Sequence, residues 1–271
     1  METVRSRDGT LIACEKSGQG SPLVLVHGTS ADHTRWAPML RPFQDRFTVY
    51  AVDRRGRGSS GDSDPYAIER EFEDIAAVVN SIGEPVNLLG HSYGAICSLE
   101  AATRSNSLCR LILYEPPIQT GMGIYPPQML SAMRELLAKG DRDGTVTFFM
   151  REIPRVPPHE LELLRAAPAW QGRVAAAHTI PREMDASNGG YQFDRAKFAR
   201  VTTPTLLLLG GDSPAFLAAA THSLHEILPN NRLVVMPGQQ HTAMNTAPNL
   251  FVGAVFDFLA EQDCSIPSRE T

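Results

Sequence analysis

No stretch of this chain approaches the roughly 18 consecutive apolar residues that a membrane-spanning helix needs. An excess of one charge is missing as well. Lys plus Arg number 25 and Asp plus Glu 30, a formal net charge of −5, which offers nothing to nucleic acid or to an anionic membrane surface. The opening residues, METVRSRDGTLIACEKSG, carry no apolar block of signal-peptide length, so a cytoplasmic location is expected. Cysteine is scarce. The four present (Cys14, Cys97, Cys109 and Cys264) show neither a CxxC pair nor metal-ligand spacing, so no metal site is expected and free thiols in a reducing compartment are. Repeats and low-complexity stretches are also lacking. What is there is 271 residues, 42% hydrophobic and 20% charged, enough to bury a core as one large domain with an insertion.

The opening reads as a hairpin, Thr3 to Ser6, a turn at Asp8-Gly9, then Thr10 to Lys16. Short apolar runs follow at 22–28, 47–53, 85–91, 110–114, 204–211 and 232–238. They have the character of strands buried on both faces. Helical periods lie between them. In 66–82 the apolar positions Ile68, Phe72, Ile75, Val79 and Ile82 step by four, three, four and three, and Gly83 and Pro85 end the helix. Residues 214–228 read as a helix capped by Ser213 with Pro214 at its first position, and 249–261 as the last helix. Strands alternating with helices predict an α/β fold with a mostly parallel sheet covered on both faces. One region breaks the alternation. Residues 116–197 show helical stretches near 127–139, 143–152, 158–166 and 170–178 and no convincing strand. They are expected to form a helical cap inserted into a core made of 1–115 and 198–271.

The run PVNLLGH leads into Gly90-His91-Ser92-Tyr93-Gly94, and an apolar helical stretch follows. This is G-x-S-x-G in strand–turn–helix context. The turn is tight, the flanking glycines let strand and helix approach, and the serine hydroxyl projects from the sheet edge above a helix N-terminus. With His27-Gly28-Thr29-Ser30, Asp53-Arg54-Arg55-Gly56-Arg57-Gly58-Ser59-Ser60, Gly210-Gly211-Asp212 and Gly238-Gln239-Gln240-His241, the chain resembles the α/β-hydrolase superfamily along nearly its whole length. The resemblance implies acyl-type hydrolysis with no metal or organic cofactor and a chain order of nucleophile, acid, histidine. A serine at 92 stands against the dehalogenase and epoxide-hydrolase branches, which use aspartate there.

A serine hydroxyl needs a neighbouring base. Of eight histidines, His241 alone follows the last core strand in a glycine-bearing loop, the place from which the family's base reaches the nucleophile. His27 corresponds to a structural histidine of the oxyanion loop. His222 and His225 fall on a solvated helix face, and His33 sits just beyond the oxyanion loop. The acid is Asp212, at the carboxyl end of LLLLGG, with Glu115 at the end of RLILY as its rival. Backbone amides of Tyr93 and Thr29 are the expected oxyanion donors. Arg54, Arg55 and Arg57 read as a solvated or salt-bridged loop. Met122, Met129, Met133, Phe148, Phe149, Met150 and Trp170 are candidates for an acyl pocket, most of them packing within the insertion. The expected activity is hydrolysis of a small or medium carboxylic ester through an acyl-enzyme. A thioester, lactone or C–C substrate on the same triad is the alternative, with a non-catalytic binding protein as the reading from another class.

Overall fold

A computed structural model describes residues 1–119 and 125–261 of the chain. The strands are β1 (Glu2–Arg5), β2 (Leu11–Gly18), β3 (Ser21–Val26), β4 (Phe47–Val52), β5 (Val86–His91), β6 (Leu108–Tyr114), β7 (Thr205–Gly210) and β8 (Asn231–Met236). They form one eight-stranded sheet in the order β1-β2-β4-β3-β5-β6-β7-β8. The hairpin β1–β2 is antiparallel and joins β4 antiparallel, and every pairing from β4 to β8 is parallel. The runs of β3 to β7 become strands because each alternate residue finds a different buried layer. Val24, Leu88, Leu111 and Leu207 face one side, and Leu25, Leu89, Ile112 and Leu208 face the other. By contrast β8, at the sheet edge, is only partly buried with Val235 45% exposed, so the expectation of burial on both faces fails for 232–238.

Helices fill both sides. In chain order they are α1 (Ala37–Gln44), α2 (Ile68–Ser81), α3 (Tyr93–Ala102), α4 (Pro127–Ala138), α5 (Arg142–Glu152), α6 (Pro158–Ala166), α7 (Trp170–Ala175), α8 (Ile180–Asp185), α9 (Arg195–Phe198), α10 (Ala215–Ile227), α11 (Ala243–Thr246) and α12 (Pro248–Leu259). The first layer takes Phe72 of α2, Ile96 of α3 and Leu224 of α10. The second takes Phe43 of α1 and Phe251 and Val255 of α12. Between β6 and β7 the described residues contain helices and no strand. Helices α4 to α8 close over a cluster of their own, with Met133, Val146, Leu161, Trp170 and Met184 at its centre. Helix α8 is an addition to the expected set. Among the described residues no helix is long and apolar enough to cross a membrane.

Two local expectations are corrected. Helix α10 starts one residue late: Pro214, extended at φ −50 and ψ 139, is its N-cap, and the Ser213 hydroxyl is engaged elsewhere. Cys14 and Cys97 are buried free thiols, but Cys109 is disulfide-bonded, so the expectation of four free thiols fails. Cys264 lies outside the described residues.

The arginine loop after β4 is salt-bridged and buried. Arg54 reaches Glu71 of α2 at 2.7 Å and Glu183 of α8 at 2.6 Å, and Arg57 also bonds Glu183. Arg55 takes both oxygens of Asp74 at 2.7 Å. Against the cost of burial, the charges of Arg54 and Arg57 hold Glu71 down at about 2. Glu183 is fully buried and ties the helices between β6 and β7 to the sheet. Glu183→Ala leaves two buried cations to share the single carboxylate of Glu71, so a stability loss of about 3–5 kcal/mol is expected in urea unfolding. A loss below about 1 kcal/mol would mean that the loop carries its own charge.

Candidate active site

Ser92 follows the last residue of β5 and precedes the first of α3. Its backbone sits at φ 56 and ψ −125, a left-handed region that a side chain occupies only under strain. The turn closes because Gly90 and Gly94 carry no Cβ. A methyl on Gly90 would lie 2.6 Å from the Ala95 Cα, and one on Gly94 would lie 2.3 Å from the His27 carbonyl oxygen. The Ser92 amide donates to the Tyr114 carbonyl at 2.8 Å, which fixes the turn against β6. Tyr93 is the first residue of α3, so its amide belongs to the helix turn that has no partner within the helix.

His241 lies in the loop after β8 and is 7% exposed. Its Nδ1 donates to the Glu115 Oε2 at 2.5 Å, and Glu115 is fully buried. The other carboxylate oxygen, Oε1, accepts from the Gly210 amide at 2.7 Å and from the Ser213 hydroxyl at 2.5 Å. With Nδ1 carrying the proton, Nε2 of the neutral ring is the lone-pair nitrogen. Asp212, the first-choice acid, is not brought to this histidine. It is exposed, its amide donates to the Gln239 carbonyl at 2.9 Å, and its carboxylate makes no hydrogen bond or ion pair among the described residues. The chain turns outward after Gly210, so the β7 end offers an amide and, at Ser213, a hydroxyl. Glu115 turns inward at φ 47 directly after β6 and takes the place beside the imidazole.

Other rings frame this pair. His91 packs against His241 with centroids 4.6 Å apart, and its Nε2 donates to the His241 carbonyl at 3.1 Å. Burial and the charges of its neighbours hold His91 well below the usual imidazole range. The Tyr114 hydroxyl donates to the Gln240 carbonyl and accepts from the Ala243 amide, bracketing the histidine loop. His27 accepts the Arg54 amide on Nε2 and donates from Nδ1 to the Gly28 carbonyl at 2.8 Å. Burial, then the charges of Arg54 and Arg57, hold it well below the usual imidazole range. His33 binds Asp53 at 2.8 Å instead of approaching the serine. His159, His178, His222 and His225 are exposed.

Ser92, His241, His91 and Thr29 line one cavity. Its apolar wall includes Tyr125, Phe149, Met150, Ile153, Phe216 and Leu217. Of the apolar residues singled out in the insertion, Phe149 and Met150 reach it. Met133 and Trp170 are buried in the cluster of the helices between β6 and β7, Met129 and Phe148 pack on its edge, and Met122 lies outside the described residues. Two further lining residues, Arg35 and Arg173, carry no motif in the sequence and escaped it. They are distant in the chain and meet only in the folded state. Among the described residues one group, Asp32, His33 and Asp53, brings three potential metal-ligand atoms within 4.8 Å. Both oxygens of Asp53 accept, from the amides of His33 and Ser59 and from the His33 ring, and one oxygen of Asp32 accepts from the Thr34 amide and hydroxyl.

The chain is similar to known proteins along most of its length. The profile of the alpha/beta hydrolase family matches residues 23–254. A 2-(acetamidomethylene)succinate hydrolase of Mesorhizobium japonicum is 26% identical, over 92% of this chain and 91% of its own. A pimeloyl-[acyl-carrier protein] methyl ester esterase of Aeromonas hydrophila is 24% identical, over 92% of this chain and 99% of its own. The crystal structure of an alpha/beta hydrolase from Sphaerobacter thermophilus superposes with a TM-score of 0.81 at 39% identity, covering 95% of this chain and 100% of that one. The chain belongs to the alpha/beta hydrolase family, and its kinship with hydrolases and esterases makes it a hydrolase.

Proposed function

We propose that the protein is a serine hydrolase of small or medium carboxylic esters, with Ser92 as nucleophile, His241 as general base and acid, and Glu115 as the orienting carboxylate. The observation that carries this reading is the 2.5 Å hydrogen bond from His241 Nδ1 to a buried carboxylate, in the cavity that the Ser92 elbow also lines. Ser92 Oγ attacks the ester carbonyl carbon while His241 Nε2 takes its proton. The amides of Tyr93 and Thr29 receive the charge that develops on the carbonyl oxygen. Collapse breaks the bond to the alkoxy group, which leaves as the alcohol with the proton from His241. Water, deprotonated by the same nitrogen, then attacks the acyl-enzyme and releases the acid and free Ser92. Each step runs on side chains and amides of this chain. Residues 116–197 act as a cap that shields the acyl-enzyme and supplies part of the apolar wall.

The Mesorhizobium relative favours a second reading, in which the same triad opens a bond other than an ester. Both readings predict that a phosphonylating serine reagent adds to Ser92. Intact-protein mass spectrometry should register one adduct, absent in Ser92→Ala. A panel of p-nitrophenyl esters, thioesters, lactones and enamides then separates the two by relative kcat/KM. A folded protein that takes up no label would make the site a binding pocket.

A further inference from the structure

We propose that Arg35 and Arg173 form a carboxylate-recognition subsite inside the catalytic cavity, so that the preferred substrate carries a free carboxylate in addition to the bond that is cut. This rests on the hydrolase reading of the cavity and names the class of substrate that it takes.

Both arginines line the cavity that holds Ser92 and His241, and they are only 4% and 5% exposed. A buried guanidinium is costly unless an anion meets it. The other buried arginines near this end of the sheet follow that rule, since Arg54, Arg55 and Arg57 each pair with two carboxylates. Arg35 and Arg173 depart from it. Arg35 donates to the neutral Asn245 side chain and Arg173 to the Ser30 carbonyl at 3.1 Å. Neither lies within ion-pair distance of a carboxylate among the described residues, and the buried Arg35 Nε meets no acceptor there. Of the nearby acids, Asp32 supports Arg173 only by its charge from beyond ion-pair distance while one of its oxygens accepts from Thr34, and Glu160 accepts from the Thr242 hydroxyl.

The two cations share the cavity lining, and the charge of Arg173 bears on Arg35. Burial and then the charge of Arg173 push Arg35 well below the usual guanidinium range, and burial brings Arg173 down to about 10 against the opposing charge of Asp32. Both charges also bear on His91, the ring that packs against His241, which sets them beside the reacting end of the cavity. A planar carboxylate supplies what is missing: two acceptor oxygens for forked donors and one negative charge between two positive ones. The apolar lining residues, among them Phe149, Met150 and Leu217, suit a short hydrocarbon body. The ligand is thus a compact hemiester or related acyl derivative with an anionic end, and a neutral ester of the same shape leaves both cations unmatched.

The test compares monomethyl succinate with dimethyl succinate. Binding of both to the Ser92→Ala protein is measured by calorimetry, and kcat/KM of both is measured on the wild type. The monoanion is expected to be preferred over the diester by at least about 10-fold in each measurement, with the kinetic preference residing in KM. Arg35→Gln and Arg173→Gln should each cut that preference by roughly 10- to 100-fold, while Arg173→Lys, which keeps the charge, retains part of it. The ratio of the two ligands is the readout, so a general loss of activity in a variant does not imitate the result. Equal binding of monoanion and diester by the Ser92→Ala protein, or an undiminished preference in both glutamine variants, overturns the proposal. If the wild type hydrolyses neither ester yet the preference in binding stands, the carboxylic-ester reading fails and the anion subsite survives. If a glutamine variant does not fold, the wild-type ratio and Arg173→Lys still decide.

Discussion

Ser92→Ala is expected to lower kcat by on the order of 10³-fold or more on any ester that the wild type turns over, and His241→Ala by a similar factor. The double variant should be little worse than either single one, because nucleophile and base act on the same bond. Without Oγ there is no acyl-enzyme, and without Nε2 the hydroxyl keeps its proton. What remains in either case is binding and the oxyanion amides, which do not depend on these side chains. Loss of fold is a poor alternative explanation for Ser92→Ala. The strain at φ 56 belongs to the backbone and is the same for alanine, and the hydrogen bonds that close the elbow come from the amide and carbonyl of residue 92. Thermal unfolding of the Ser92→Ala protein should therefore match the wild type. Near-normal turnover by a folded Ser92→Ala protein would remove the covalent mechanism altogether.

The strands were legible because a parallel strand buried on both faces has no polar side to obscure it. Runs such as LVLV and LLLL have no other home in a chain this polar elsewhere. The elbow was legible because two glycines and an apolar helix at fixed offsets are a steric requirement, and the contacts of Gly90 and Gly94 are where that requirement acts. Helix α1 was harder, since Pro38 and Pro42 interrupt its period. Helix α8 was equally hidden, because its buried face includes Glu183 and Pro181. The least legible features join distant segments. Ser213 has the sequence of a helix cap and the structure of a donor to Glu115, 98 positions away. Arg35 and Arg173 sit on two short helical segments, and only the closed fold places them in one cavity. Sequence spacing reports neighbours along the chain, whereas a buried polar group is explained by whatever the tertiary fold sets beside it.

The acid shows the same limit, and its test is the sharpest. Glu115→Gln is expected to reduce kcat by on the order of 10³- to 10⁴-fold, whereas Asp212→Asn should leave it within about twofold. The geometry decides which way the new amide points. Its oxygen must take the Oε1 place, because the Gly210 amide and the Ser213 hydroxyl both donate there. The amide nitrogen is then left facing His241 Nδ1. Two donors cannot share that contact, so the imidazole gives up its Nδ1 proton and carries it on Nε2 instead. The nitrogen that must receive the serine proton is thereby blocked, and the imidazolium formed during attack also loses its counter-charge. Volume and packing are nearly unchanged, so the protein should still fold and still bind. KM should move little while kcat collapses. Asp212 is exposed and touches none of these atoms, so its amide variant tests only the charge at the end of β7. A collapse in Asp212→Asn with Glu115→Gln active would mean that the working histidine swings toward β7 during turnover. Small effects from both variants would leave His241 without a needed acid and take the triad mechanism with it.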